Sequence, residues 1–127
     1  MAVKALVVTP SADGTGQLAT WTALTQAGLD TGEPIDMGKY DRKTIQAFGT
    51  VGVGGSMLLE WSNDKTNWTT AKDGLGIAIA LAASPSGTAI LETARWFRPR
   101  VTAGDGTTSF TANLWGPRTS SSPKWPL

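Results

Sequence analysis

The sequence predicts an all-β protein: a single-domain antiparallel β-sandwich, jelly-roll-like in its strand spacing, with an extended C-terminal tail. Three observations carry that reading. Short runs of alternating apolar and polar residues recur along the chain, which sets successive side chains on opposite faces of a sheet. Gly, Asp, Asn and Ser clusters separate the runs, Asp13-Gly14, Asp73-Gly74 and Ala103-Gly104-Asp105-Gly106-Thr107 among them, and these residues punctuate turns. Fifteen glycines and six tryptophans, with abundant threonine, suit strands and tight turns better than helices.

The elements follow in order. Val3 to Thr9 reads as a first strand, and Ser11 to Gly16 as a turn. Gln17 to Gln26 alternates, with Leu18, Thr20, Thr22 and Leu24 on one face and Ala19, Trp21, Ala23 and Thr25 on the other. Ala27 to Pro34 reads as a loop. Lys43 to Val51 sets Ile45, Ala47 and Gly49 against Gln46, Phe48 and Thr50, and Gly52 to Gly55 turns the chain. In Ser56 to Ser62, Met57, Leu59 and Trp61 share a face, which assigns Trp61 to the core. The Asn63-Asp64-Lys65-Thr66 turn leads into Asn67-Trp68-Thr69-Thr70. Ile77 to Ala83 is apolar and bracketed by Gly76 and Ser84-Pro85-Ser86-Gly87, which favours a strand over a short buried helix. Thr88 to Leu91 is a short strand. Trp96 to Thr102 sets Phe97, Pro99 and Val101 against Trp96, Arg98 and Arg100, and the internal proline points to a sheet edge or a bulge. Ser109 to Trp115 closes the sandwich with Phe110, Ala112 and Leu114 on one face.

The length of 127 residues fits one domain, residues 1–116, followed by a Pro/Ser-rich tail, 117–127. A chain of this size buries roughly two-thirds of the surface that its unfolded form exposes, enough for a core without disulfides or metal. The formal net charge is +1, so no global field draws the chain to nucleic acid or an anionic membrane. Cysteine and histidine are absent. That excludes disulfides, thiolate nucleophiles, imidazole bases and the common zinc sites. No window approaches the ~20 apolar residues of a membrane span. The first ten residues lack a secretory-signal pattern, so no export route is visible. The carboxylates Glu60, Asp64, Asp73, Glu92 and Asp105 cannot be grouped into an acid/base pair from sequence, and most belong to turns. The expectation is a protein that is not an enzyme and holds no cofactor or metal.

Residues 43–116 resemble a β-sandwich module of tailed-bacteriophage virion proteins. The resemblance lies in Gly49-Thr50, the strand from Gly55 to Trp61, the Ser62-Asn63-Asp64 turn with Asn67-Trp68, the Arg98-Pro99 pair and Ala103 to Thr107. It is closest to a capsid decoration, or cement, protein. It implies a homotrimer on the outer capsid surface of the virion, assembled in the host cytoplasm, clamping neighbouring subunits of the major capsid protein, with no nucleic-acid or membrane partner.

Under that reading the candidate capsid or subunit interface comprises Trp96, Arg98 and Arg100 on one strand face, and Arg118, Lys124, Trp125, Pro126 and Leu127 in the tail. Arg98 and Arg100 suit carboxylates through their planar forks. The plainer expectation is a solvated strand face with the chain's own Glu or Asp across the way. Trp125-Pro126-Leu127 is an apolar tip on an extended tether that would seek a pocket, or else an ordinary frayed terminus. The alternative function is a carbohydrate- or host-surface-binding module of a phage tail or fibre. It would use the exposed tryptophans and the Asn63–Asn67 loop; the segment from Ser62 to Trp68 is similar to a turn of discoidin-like carbohydrate-binding domains and loosely to the Asp-box hairpin of sialidase propellers, without the expected Gly and with a short spacing to Trp. Against it, Asp and Asn in such turns mostly bond their own backbone, and Trp68 is expected to cap the core. A further tail or connector role on the same fold stays open, since fold alone does not set function.

Overall fold

The structure is a computed structural model that describes residues 3–11, 15–26, 30–40 and 42–117. Among these are eleven strands: β1 (Val3–Lys4), β2 (Leu6–Pro10), β3 (Gly16–Thr25), β4 (Thr31–Gly32), β5 (Ile35–Asp36), β6 (Lys43–Thr50), β7 (Ser56–Ser62), β8 (Thr69–Thr70), β9 (Ser86–Ile90), β10 (Trp96–Ala103) and β11 (Ser109–Pro117). They form two sheets packed as a sandwich. The front sheet runs β1-β4-β10-β7-β8, with β5 also paired to β10. The back sheet runs β2-β3-β11-β6-β9. All pairings are antiparallel except β1 with β4.

The alternation read from sequence sets the core. Ile45 and Ala47 of β6, Met57 and Leu59 of β7, Phe97 and Val101 of β10, and Phe110, Ala112 and Leu114 of β11 all point between the sheets and are buried. Each large apolar side chain so buried contributes about 1.5–3 kcal/mol. Trp21 is fully buried and donates its indole N–H to the Glu33 carbonyl at 2.9 Å, which satisfies its one polar group. Trp61 is half-buried and packs against this core.

Several expectations are corrected. The first strand is two: the chain pairs in the front sheet as β1, then crosses at Ala5 to the back sheet as β2. The 27–34 loop contains β4, a further short strand. In β3 the face assignment flips before Leu24. Phe110 pairs with Leu24 and Ala112 with Trp21, so β3 spends one more residue than β11, and Ala23 takes φ 55°. That bulge turns Leu24 into the core beside Ala19 and Trp21, away from Leu18 and Thr20. Residues 77–83 form no regular strand. They lie along the β7 side of the front sheet through single bridges, Met57 with Leu81 and Lys72 with Ala78, which bury Ile79 and Leu81 but leave Ile77 exposed. Pro117 belongs to β11, where it pairs with Gly16.

Pro99 sits in the middle of the front sheet, not at its edge, paired with Leu59 and buried. The missing N–H is tolerated because β10's other neighbour is interrupted. β4 pairs with β10 at Arg100 and β5 pairs with it at Trp96 and Phe97, so neither strand has a ladder partner in register with Pro99. Gly32 permits the close approach there: a Cβ would lie 2.6 Å from both the Pro99 ring and the Trp21 indole.

Candidate functional site

A depression of about 630 Å³ lies over β6 and β9 and is lined by neutral residues such as Thr44, Gln46, Ser86, Gly87 and Ala89. It holds no acid or base. Among the described residues no three acidic side chains come together as a metal site. Charged and aromatic groups converge elsewhere, on the outer face of the front sheet.

That face is built by period-two alternation. Phe97, Pro99 and Val101 point inward, so Trp96, Arg98 and Arg100 point outward from β10. The β10–β7 register sets Arg98 opposite Glu60 and Trp96 opposite Ser62. Glu60 bonds both arginines: Arg98 Nε donates to Oε1 at 2.9 Å and Arg100 Nη1 to Oε2 at 3.3 Å. The Glu60 side chain is only 8% exposed, while those of Arg98 and Arg100 are 21% and 41% exposed. A carboxylate this buried requires such partners, since an unpaired buried charge is costly. The carboxylate expected across the way is therefore the chain's own.

Two indoles flank this ion cluster. The Arg98 guanidinium lies 4.2 Å from the centre of the Trp68 ring. Trp68 is half-buried under that arginine and outside the core cluster, which corrects the core-capping expectation. Trp96 carries Lys65 at 4.5 Å and Arg95 at 5.2 Å, and Arg95 in turn pairs with Asp36 at 3.1 Å. Cation–π contacts of this kind are worth about 0.5–1 kcal/mol each at exposed sites.

The loop beside the face is held by Asp64. Its Oδ1 accepts from the Ser62 hydroxyl and the Thr66 and Asn67 N–H groups, and its Oδ2 from the Asn67 amide, all within 2.7–2.9 Å. These bonds, the Asn67 backbone N–H foremost, hold the Asp64 carboxyl well below the usual carboxylate range. Asp105 plays the same part between β10 and β11. The Thr107 hydroxyl, then the Val53 and Thr107 N–H groups, pull its pKa down to about 2.

Of the expected interface residues, Trp96, Arg98 and Arg100 thus share one face. Arg118, Lys124, Trp125, Pro126 and Leu127 lie outside the described residues. Sequence reasoning did not select Glu60, Trp68, Lys65 or Arg95 for this face. The alternation around Glu60 was visible, but which strand lay beside β7 was not. No family model, curated protein or solved structure matches this chain.

Proposed function

We propose that the chain is a structural protein of a tailed-phage virion: a capsid decoration protein that sits as a homotrimer on the head and bridges major capsid protein subunits through the outer face of its front sheet. The observation that carries this reading is the composition of that face. Trp68 and Trp96 are interleaved with Arg95, Arg98 and Arg100 around a buried carboxylate. Trp and Arg are the side chains that protein interfaces concentrate at their energetic centres. Side chains already held by ion pairs and ring contacts lose less freedom on binding, which leaves more contact energy as affinity. The mechanism is mechanical: contact area across subunits resists the pressure of packaged DNA, and three linked contacts act together.

The carbohydrate-binding alternative draws less support. Arg98 covers the Trp68 ring and Asp64 is spent on its own turn, so a sugar would have to displace both. The test is co-sedimentation with phage heads lacking this protein, together with light scattering on the free protein. Pelleting that Trp96→Ala abolishes, with a mass near three times 13.3 kDa, is the expected result. A monomer that stays in the supernatant sinks the reading.

A further inference from the structure

The four cations of the front face are not equally committed. Arg95 has Asp36, and Arg98 has both Glu60 and the Trp68 ring. Arg100 has the longer share of Glu60, its buried Nε has no hydrogen-bond partner among the described residues, and its side chain is the more exposed of the two. Among the described residues Lys65 has no carboxylate within ion-pair distance. Its ammonium instead lies over Trp96, and the backbone takes φ 66° at this residue. Side chains other than Gly, Asn and Asp rarely adopt that conformation, and local strain of this sort collects at functional positions.

These two under-committed cations mark the ends of a line. Trp96, under Lys65, and Arg100 both point outward from β10 and are four residues apart, about 13 Å at the rise of a strand. An extended segment alongside β10 would repeat that spacing with its own side chains at positions i and i+4.

We propose that this face takes an extended acidic protein segment along β10, with one carboxylate on Lys65 and a second, four residues away, on Arg100. The inference rests on the front face being the virion-facing surface, and it specifies what that surface meets. Charge complementarity selects the partner: four cations stand against Glu60 and Asp36 on the face and Asp64 in the loop beside it, which leaves a positive excess. Arg100 offers a fork that matches carboxylate geometry. Glu60 and Asp36 break the positive band, which suits two discrete anions better than a continuous phosphate chain.

The probe is a capped synthetic peptide, Ac-Thr-Glu-Thr-Val-Thr-Glu-Thr-NH2, titrated against the intact protein at low salt and followed by tryptophan fluorescence. A Kd of about 1 mM or tighter is expected, weakened by about fivefold or more in Arg100→Gln and in Lys65→Gly. Glycine relieves the strained φ, so Lys65→Gly should keep or raise the melting temperature, and lost binding will not reflect lost folding. Equal binding of the peptide with both Glu replaced by Gln overturns the proposal. So does wild-type affinity in both variants, or preferential binding of a single-stranded oligonucleotide. The two levels separate on phage heads. If Arg100→Gln and Lys65→Gly pellet like wild type, the acidic-segment inference falls and the virion reading stands. If the peptide binds but the protein stays off the heads, the virion reading falls and the site remains.

Discussion

The two outer faces of the sandwich obey the same alternation and differ in chemistry. On the back sheet the outward positions are uncharged: Thr20 on β3, Thr44, Gln46 and Thr50 on β6 and Thr111 and Asn113 on β11, with Phe48 and Trp115 on the same face. A hydrogen bond of 2.9 Å from the Thr20 hydroxyl to Asn113 ties two of its strands. On the front sheet the outward positions of β7 and β10 carry Glu60, Trp96, Arg98 and Arg100, tied by ion pairs and ring contacts. The Thr-rich face is satisfied by strand propensity and water. The front face must overcome about 2 kcal/mol of rotamer entropy for each Arg that it orders. A sandwich wall needs only the first arrangement, so the second is where a binding role is to be sought.

The two faces differ most at Glu60. Glu60→Ala leaves two guanidiniums sharing no carboxylate. The expected loss is about 2–3 kcal/mol, below that of a fully buried pair because both arginines keep solvent contact. Urea denaturation measures it, and a loss under ~0.5 kcal/mol would mean that the front face is no more organised than the back. The matching change on the back sheet, Asn113→Ala, removes one neutral hydrogen bond between half-buried groups. It should cost about 1 kcal/mol by the same assay. Equal costs for the two substitutions would mean that the two faces are held equally firmly.

Acid acts on carboxylates in the loops outside both faces. Asp64 and Asp105 have folded-state pKa values below the ordinary 3.8, so the unfolded chain binds protons more readily than the folded one. Their contribution is therefore complete above about pH 4 and is lost as pH falls through the folded values, for Asp105 near pH 2. Thermal melts between those limits should show a falling limb that Asp105→Asn flattens. The effect is the smallest of the three, because both carboxylates are solvent-exposed and screened. An unchanged limb in Asp105→Asn would assign the acid sensitivity to other groups.

Much of this architecture was legible from local pattern. The inward sets of β6, β7, β10 and β11 follow directly from alternation, and the Asp64 turn from its Ser, Asn and Thr neighbours. What was not legible depends on partners distant in sequence. Leu24 turns inward because β3 carries a bulge against β11, eighty-odd residues on, and nothing in Thr22-Ala23-Leu24 signals it. Pro99 pointed to an edge or a bulge and sits at neither: the gap between β4 and β5 that accommodates it is a tertiary feature, and the β10 register shift lies further on, between Val101 and Ala103. Glu60 could not be paired with Arg98 and Arg100 until the β7–β10 register was known. Trp68 was misread for the same reason: its ring is covered by an arginine thirty residues away.

The crossing at Ala5 has a consequence for how the molecule bears load. Tension entering at Val3 meets β1 and then β2, each held by a single neighbour on the rim of its sheet, so the ladders unzip one rung at a time. Tension entering at Pro117 meets β11, clasped between β3 and β6 in the middle of the back sheet, and two ladders must yield together. The sandwich thus has a peelable end and an anchored end. A tether that has to withstand force belongs on the side of β11.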